Sequence, residues 1–291
     1  MEAISLYPGS AGEIIQGKVD GRDILISCPV NMFTRVRVYE CDNPEKRFQH
    51  IKSSTLLENM LNRWGYGHLN STFDIEIESN IPLGKGFASS TADLCATYIC
   101  LLKLFYRNFD IYEVLKEFLR IEPTDSIIFR EMTMFDYKSG SFYKGVGEYI
   151  KFYILAFEGE RTIDTVTFNK SKLPSLDDIS DLYTKVQEGI TNKNISLIAA
   201  ASTESINRNL KRVSYDVLGH VDALKDITGG LGIIGAHSGD MLGIIYDDKK
   251  KLEFALQYRD SIKGYKSHVL ETLRRNEYER NYDYIAVERK R

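Results

Sequence analysis

The stretch Ile81-Pro82-Leu83-Gly84-Lys85-Gly86-Phe87-Ala88-Ser89-Ser90-Thr91-Ala92-Asp93 lies between a predicted strand and a predicted helix. Residues 73–78 alternate apolar and polar side chains, which is the period of a half-buried strand. Residues 94–105 form a continuous apolar run, which predicts a buried helix. Pro82 ends the strand, and the spacing of Ser90 and Asp93 is typical of a capping box. We therefore expect the helix to begin near Ser89 or Ser90.

A glycine-rich turn that opens into a helix is suited to an anion. Gly84 and Gly86 permit backbone angles and close approaches that a Cβ would prevent. Unpaired N–H groups and the positive end of the helix dipole then point at one small volume, and Lys85 adds a charge. The same residues also fit an ordinary strand-to-helix turn in which Ser and Gly serve only as caps. Both interpretations stay open for this stretch alone.

The composition is that of a folded protein, and 291 residues suffice for two domains or one large two-layer fold. The net charge is −3 without a long basic run, so nucleic acid is a poor candidate partner. The sequence has neither the pattern of a signal peptide nor an apolar run of membrane-spanning length, so we expect a soluble cytoplasmic protein without membrane association. Four cysteines form no C-x-x-C pair, which favours packed, reduced thiols over zinc or disulfides.

Two other glycine motifs are rejected because their context is wrong. Residues 12–18 imitate the start of a Walker A motif, but Val19 replaces the required hydroxyl residue and strands follow instead of a helix. Residues 230–235 fit G-x-G-x-x-G, but they follow predicted helices and lead into the strand-like run 241–246. The sequence therefore predicts neither a P-loop nor a dinucleotide fold.

The rest of the chain is predicted as a mixture of strands and helices, with Gly9 to Glu13 as a loop and Trp64 as a core anchor. The predicted strands are 2–7, 23–28, 34–39, 132–135, 141–147, 149–157, 165–168 and 282–287. The predicted helices are 53–64, 111–119, 176–192, 194–208, 214–226 and 251–258. A domain boundary is placed near Gly159.

Four polar residues, two of them in one turn, have two interpretations each. Glu122 and Asp125 lie three residues apart in a polar turn, where they can converge on one cation or proton or can serve as turn and capping residues. Glu13 is either a ligand for a substrate group or a solvated loop carboxylate. His237 either contacts substrate or phosphate or is a hydrogen-bonded structural histidine.

Three of these segments together resemble the GHMP kinases, the superfamily of galactokinase, homoserine kinase, mevalonate kinase and phosphomevalonate kinase. Residues 82–92 resemble the phosphate motif P-x-x-x-G-L-G-S-S-A, with Phe87 and Ala88 at the places of Leu and Gly. Residues 7–14 resemble the first motif, P-G-x-x-x-x-x-G-E, and residues 231–247 the third, a glycine-rich hairpin. The resemblance implies an α+β, two-domain GHMP kinase fold. Residues 1–158 would form a nucleotide-binding, ribosomal-protein-S5-like α/β sandwich, and residues 159–291 a ferredoxin-like α+β domain.

The resemblance also implies a site. Asp125 would accept or orient the proton of the acceptor hydroxyl, and Ser90 and Glu122 would hold Mg²⁺. Several relatives carry Lys at the place of Ser10, so a lysine-assisted mechanism is not expected. The triphosphate of ATP would lie against Pro82, Leu83, Gly84, Lys85, Gly86, Phe87, Ala88, Ser89, Ser90, Thr91 and Ala92. The substrate would lie against Ser10, Gly12, Glu13, His237 and Ser238.

Five strings are most similar to the L-threonine kinases of cobalamin side-arm synthesis and propanediol utilisation. They are residues 12–17, 27–30, 84–93, 122–126 and 236–239. This similarity implies ATP-dependent phosphorylation of L-threonine to O-phospho-L-threonine. Another GHMP kinase such as homoserine kinase is the alternative within the class, and a non-catalytic nucleotide-binding sensor is the alternative outside it. A homodimer also stays open.

Overall fold

The computed structural model describes residues 1–162 and 173–274. Its strands are β1 (Glu2–Val19), β2 (Arg22–Glu40), β3 (Phe73–Ser79), β4 (Met132–Asp136), β5 (Tyr143–Gly147), β6 (Tyr153–Glu158), β7 (Gly232–Gly235), β8 (Met241–Tyr246) and β9 (Lys266–Glu271). Its helices are α1 (Ile51–Arg63), α2 (Ser89–Leu104), α3 (Ile111–Ile121), α4 (Ser180–Thr191), α5 (Ile195–Asn209), α6 (Leu218–Thr228) and α7 (Lys249–Ala255).

In the described part of the chain, one nine-stranded sheet has the order β5-β4-β2-β1-β7-β8-β6-β9, and β3 pairs with β2. The two halves of the sheet meet where Glu13 of β1 pairs with Gly235 of β7. β6 pairs with β8 and β9 from the C-terminal part of the sequence. The division of the chain after residue 158 stays a prediction.

The predicted loop at residues 9–13 is wrong, because β1 continues through it to Val19. Its register against β2 shifts at three points between Pro8 and Ile15, so the Pro-Gly segment forms a bulged strand. Gly12 has a φ of +60°, which bends the backbone without breaking the pairing further along. Because of the bulge, Glu13 lies where β1 pairs with β7. Residues 23–28 and 34–39 are strands as predicted, but they belong to the single strand β2.

The buried helix predicted after the glycine-rich turn is confirmed as α2, which begins at Ser89. Apolar side chains such as Leu94 and Leu101 are fully buried in the main core. The predicted capping box is wrong. The hydroxyl of Ser90 donates to Glu122, and Asp93 accepts a hydrogen bond of 2.6 Å from Thr34. Both side chains expected to cap the helix, those of Ser90 and Asp93, therefore bond to residues that are distant in sequence instead.

The other predicted elements within the described residues are confirmed with shifted ends, and the strands predicted at 165–168 and 282–287 lie outside the described residues. Trp64 is buried and its indole N–H donates to Glu113, so its predicted role as a core anchor is confirmed. The four cysteines are free thiols, three of them buried. Within residues 1–162 and 173–274, no helix is long and apolar enough to cross a membrane.

Candidate active site

Three segments that are far apart in sequence meet at the glycine loop, which we define as residues 82–88. The N–H of Ser10 donates to the carbonyl of Phe87 over 2.9 Å, and the N–H of Gly12 donates to Gly86 over 3.2 Å. From the β7–β8 hairpin, the N–H of Asp240 donates to the carbonyl of Lys85 over 3.1 Å. The bulge of β1 and the hairpin therefore hold the glycine loop from two sides.

The close packing of these segments requires glycine. A Cβ at Gly86 would lie 2.0 Å from the Cβ of Ala236, and a Cβ at Gly12 would lie 2.2 Å from the carbonyl oxygen of Gly235. Both residues also have φ in the left-handed region, at +91° and +60°. Glycine at these two positions therefore allows the segments to pack closely and also allows the backbone to turn.

The glycine loop forms a nest of N–H groups. Gly84, Gly86 and Ala88 have φ of +67°, +91° and +56°, while Lys85 and Phe87 between them keep negative φ. Alternation of this kind points successive N–H groups toward a common concavity, which binds anions. Among the described residues, no side chain caps the start of α2, where Ala88 is the N-cap residue. The ordinary capped turn, which the sequence left open, is therefore wrong, and free amide donors are available to an anion.

Replacing Ala88 with glycine should stabilise the protein. An L-residue in the left-handed region costs about 1–2 kcal/mol relative to glycine, partly offset by the greater freedom of glycine in the unfolded chain. We expect the free energy of unfolding of Ala88→Gly to rise by about 1 kcal/mol in denaturant titrations. Gly219→Ala is the complementary control, since Gly219 lies in α6 with open space around it and gains helix propensity from alanine. A loss of stability in Ala88→Gly would contradict the observed backbone conformation.

The ammonium group of Lys85 is not directed at the nest. It donates to the carbonyls of Gly159, Glu160 and Arg161 over 2.9, 2.6 and 3.0 Å, which uses all three of its N–H donors. In this arrangement Lys85 ties the segment after β6 to the glycine loop. Its expected contact with the triphosphate stays a prediction.

An acidic cleft opens beside the nest. It is lined by the carboxylates of Glu13, Glu122 and Asp125, and no lysine, arginine or histidine of the described chain lines it. The other lining residues are Gln16, Leu25, Gly84, Gly86, Phe87, Ala88, Ser89, Ser90, Thr91, Pro123, Thr124, Tyr137 and Ser238. Anion-binding amides and a group of carboxylates thus face the same space, an arrangement that can hold a phosphate next to a polar or cationic acceptor.

Asp125 lies at the α2 side of the acidic cleft. Its Oδ2 accepts a hydrogen bond of 3.1 Å from the hydroxyl of Thr91, and its own N–H donates to the same hydroxyl over 3.2 Å. Burial, and then the nearby Glu13 carboxylate, raise the pKa of Asp125 to about 7. A carboxylate with such a pKa can accept a proton near neutral pH.

Glu122 and Ser90 lie in contact, as expected for a shared metal site. The Ser90 hydroxyl donates to one carboxylate oxygen of Glu122, and the Lys52 ammonium lies 2.7 Å from the other. Glu122 is only 4% exposed. Hard oxygen donors of this kind fit Mg²⁺. Because the described residues contain no group of three or more His, Cys, Asp or Glu side chains suited to a metal, phosphate oxygens would have to complete the coordination.

Glu13 is fixed by the β7–β8 hairpin. Its Oε2 accepts from the backbone N–H of His237 over 2.9 Å and lies 3.1 Å from Nδ1 of the same residue. Its Oε1 accepts no hydrogen bond from the described residues and borders the acidic cleft. The alternative of a solvated loop carboxylate is therefore wrong, because Glu13 is 5% exposed.

Several expected contact residues do not line the acidic cleft. Ser10 is buried, where its hydroxyl donates to Gly12 and accepts from the N–H of Cys28. The His237 side chain has no exposed surface. Gly12, Pro82, Lys85 and Ala92 are likewise absent from the lining, so these residues support the site from outside. Their predicted ligand contacts stay predictions.

A second cleft, called the side cleft, continues from the glycine loop. Gly84, Ser89 and Ser90 line both clefts. The side cleft also carries Ile51 and Leu83, whose side chains are 74% and 70% exposed. Such exposed apolar side chains next to an anion site are suited to a planar aromatic group attached to phosphate.

Sequence reasoning missed Gln16, Tyr137 and Lys52, three polar residues of the site whose side chains make hydrogen bonds there. Gln16 and Tyr137 line the acidic cleft, and the Gln16 amide donates to the Tyr137 hydroxyl over 2.9 Å. Lys52 on α1 pairs with Glu122. Alternation along the first strand marks Gln16 as facing the same way as Ser10 and Gly12, but the bulge obscures this signal. No local pattern identifies Lys52 or Tyr137.

The fold places uncapped helix amides beside an acidic cleft, an arrangement suited to a phosphate and a small-molecule acceptor, and comparison with known proteins specifies the family. Residues 50–129 match the family described as GHMP kinases N terminal domain. An L-threonine kinase of Citrobacter freundii is 30% identical over 254 residues, covering 84% of this chain and 86% of that protein. An L-threonine kinase of Salmonella typhimurium is 27% identical over 254 residues, covering 85% and 84%. The crystal structure of homoserine kinase from Cytophaga hutchinsonii aligns with a TM-score of 0.70 at 14% identity, covering 94% and 95%.

The chain belongs to the GHMP kinases, and the predicted GHMP kinase fold is confirmed. GHMP kinases depend on ATP, and the relatives at 27–30% identity are phosphotransferases. The expected reaction class, a kinase that acts on a small molecule, is thereby supported.

Proposed function

We propose that this protein transfers the γ-phosphoryl group of ATP to the side-chain hydroxyl of L-threonine and forms O-phospho-L-threonine. The observation that carries the proposal is the position of Asp125, whose carboxylate shares one cleft with the uncapped amides at the start of α2. Phosphoryl transfer requires an acceptor hydroxyl placed in line and charge stabilisation on the phosphoryl oxygens. In the acidic cleft, the amides at the start of α2 stabilise charge on the phosphoryl oxygens, and Asp125 orients the acceptor hydroxyl.

ATP binds across the two clefts. The triphosphate lies against the amides of residues 84–90, where the nest and the positive end of the α2 dipole act together. The nucleoside occupies the side cleft, where Ile51 and Leu83 provide apolar surface. Gly84, Ser89 and Ser90 line both clefts, so the γ-phosphoryl group reaches the acidic cleft.

Ser90 and Glu122 would hold the Mg²⁺ ion that accompanies the nucleotide. When bound, such an ion neutralises phosphate charge and orients the phosphate oxygens. Lys52 orients the buried Glu122 carboxylate through the oxygen that Ser90 does not contact.

The acceptor amino acid lies in the acidic cleft. Asp125 accepts the proton of the threonine hydroxyl as the O–P bond forms, and Thr91 keeps its carboxylate oriented. The cleft lining offers three carboxylates and no basic side chain, which favours a substrate with a positive charge. Oε1 of Glu13 binds the substrate ammonium group, and the hydroxyl of Tyr137 is a donor for its carboxylate.

A coupled assay for ADP release tests the proposal with L-threonine, L-serine, L-homoserine and mevalonate as acceptors. We expect kcat/KM to be highest for L-threonine, with 31P NMR identifying the phosphomonoester product. L-Homoserine as the best acceptor would replace L-threonine as the substrate, since its longer side chain moves the hydroxyl relative to Asp125. Activity with mevalonate alone would overturn the proposal, and acceptor-independent ATP hydrolysis would leave only nucleotide binding.

A further inference from the structure

The hydroxyl of Ser205 on α5 lies behind the acidic cleft and contacts Gln16, which lines the cleft, and His237, which holds the lining residue Glu13. Ser205 accepts a hydrogen bond of 3.0 Å from the backbone N–H of Gln16, and its Oγ lies 2.8 Å from Nε2 of His237. Ser205 is fully buried, and the His237 side chain has no exposed surface. Neither side chain lines the cleft, so both act on a ligand only through the residues that they hold.

For the neutral imidazole of His237, the surrounding hydrogen-bond donors and acceptors select one tautomer. A serine hydroxyl carries one donor, and the Gln16 N–H already occupies an acceptor position on Ser205. The Glu13 carboxylate can only accept, so the proton of His237 lies on Nδ1 and points at Oε2. Nε2 is then free to accept the Ser205 proton. Ser205, His237 and Oε2 of Glu13 thus form one continuous hydrogen-bonded chain.

This chain leaves the two oxygens of Glu13 in different states. Oε2 receives two hydrogen bonds from His237, whereas Oε1 receives none from the described residues and borders the acidic cleft. A carboxylate held in this way cannot rotate to exchange its oxygens without breaking both bonds. The free oxygen therefore keeps one direction toward the cleft.

We propose that Ser205 and His237 are positioning residues that aim Oε1 of Glu13 at the ammonium group of the acceptor, and so select amino acids over hydroxy acids without an amine. This inference rests on the proposed function. The Glu13–His237 contact joins residues that are 224 positions apart in the sequence. A buried carboxylate that meets no cation is costly, so an acceptor without the ammonium group is disfavoured.

The test compares two acceptors that differ only in the amine, L-threonine and (R)-3-hydroxybutyrate. We expect Ser205→Ala and His237→Gln to raise the KM for L-threonine on the order of tenfold, the effect of losing one hydrogen bond to a charged group. His237→Asn should recover part of the loss in His237→Gln, because the Asn amide nitrogen takes the place of Nδ1 but does not reach Ser205. The KM for ATP and the activity with (R)-3-hydroxybutyrate should change less than about twofold.

Ser202→Ala is the matched control. Ser202 lies on the same helix and is fully buried, and its hydroxyl has no hydrogen-bond partner within residues 1–162 and 173–274. Its removal should leave the KM for L-threonine unchanged. If the preference for L-threonine over (R)-3-hydroxybutyrate persists in Ser205→Ala and His237→Gln, this inference is overturned while the proposed function stands. If the wild-type protein shows no such preference, the proposed function itself fails and the inference falls with it.

Discussion

Replacing Asp125 with Asn is expected to lower kcat for phosphoryl transfer by about 10²–10⁴-fold, the range for loss of a general base. The amide keeps an oxygen that can accept from Thr91 but cannot take a proton from the acceptor hydroxyl. ATP affinity should stay near the wild-type value, since Asp125 borders the acceptor side of the cleft. Rapid-quench kinetics and nucleotide titration measure the two effects separately.

The same substitution is expected to stabilise the fold above neutral pH. Burial and Glu13 raise the pKa of Asp125 to about 7, so the folded protein binds more protons than the unfolded chain between about pH 4 and pH 7. Stability is therefore lost as the pH rises through this window, and the neutral amide avoids that loss. We expect Asp125→Asn to gain about 1–3 kcal/mol at pH 8 and to approach the wild-type protein below pH 4.

Asp74→Asn is the matched control with the opposite sign. Burial raises the pKa of Asp74, but the backbone N–H groups of Arg47, Glu45, Ile75 and Lys46 outweigh it and leave the pKa below its usual value. Its contribution to stability is present above the unfolded pKa and lost as pH falls. Asp74→Asn should lose stability at pH 8 and keep its turnover per folded molecule. If Asp125→Asn keeps wild-type turnover, Asp125 is not the residue that accepts the proton of the acceptor hydroxyl.

Replacing Gly86 with Ala is expected to cost about 3 kcal/mol or more of stability and to raise the KM for ATP at least about tenfold. The new Cβ would lie 2.0 Å from the Cβ of Ala236, at a φ of +91°. Relief of this overlap has to separate the glycine loop from the hairpin or rotate the backbone, and either change displaces amides of the nest. Chemical denaturation and steady-state kinetics report the two losses.

Gly21→Ala separates backbone strain from the steric clash. Gly21 also has a left-handed φ of +77°, but a Cβ there would meet nothing within 4 Å. This control should cost only about 1 kcal/mol and leave the KM for ATP unchanged. Equal losses in the two variants would show that contact between the three segments does not hold the glycine loop.

Sequence patterns predicted the elements whose signals are local. The alternation of residues 73–78 and the apolar run of residues 94–105 correspond to β3 and α2, because period and composition are intrinsic to those segments. The loop predicted at residues 9–13 failed because β2 and the glycine loop supply hydrogen-bond partners to a segment rich in turn-forming residues. Ser90 does not cap the helix as expected, because its hydroxyl donates to Glu122, which is 32 positions away in the sequence.

Only the site residues that lie in a recognisable sequence motif were predictable. The order of three motifs indicated that Glu13, Ser90 and Asp125 belong to one site, and the structure places all three around one cleft. Gln16 contacts Tyr137, which is 121 positions away in the sequence. Lys85 is held away from the nest by carbonyls that are at least 74 positions away. Such contacts follow from the packing of the whole sheet, so no local pattern contains them.

A crystal structure of the protein with a non-hydrolysable ATP analogue, Mg²⁺ and L-threonine is the most direct measurement of the arrangement proposed for transfer. The threonine hydroxyl should lie between the Asp125 carboxylate and the γ-phosphoryl group, within hydrogen-bond distance of Asp125, with its ammonium group on Oε1 of Glu13. An amino acid bound outside the acidic cleft, or a γ-phosphoryl group directed away from Asp125, would contradict the account.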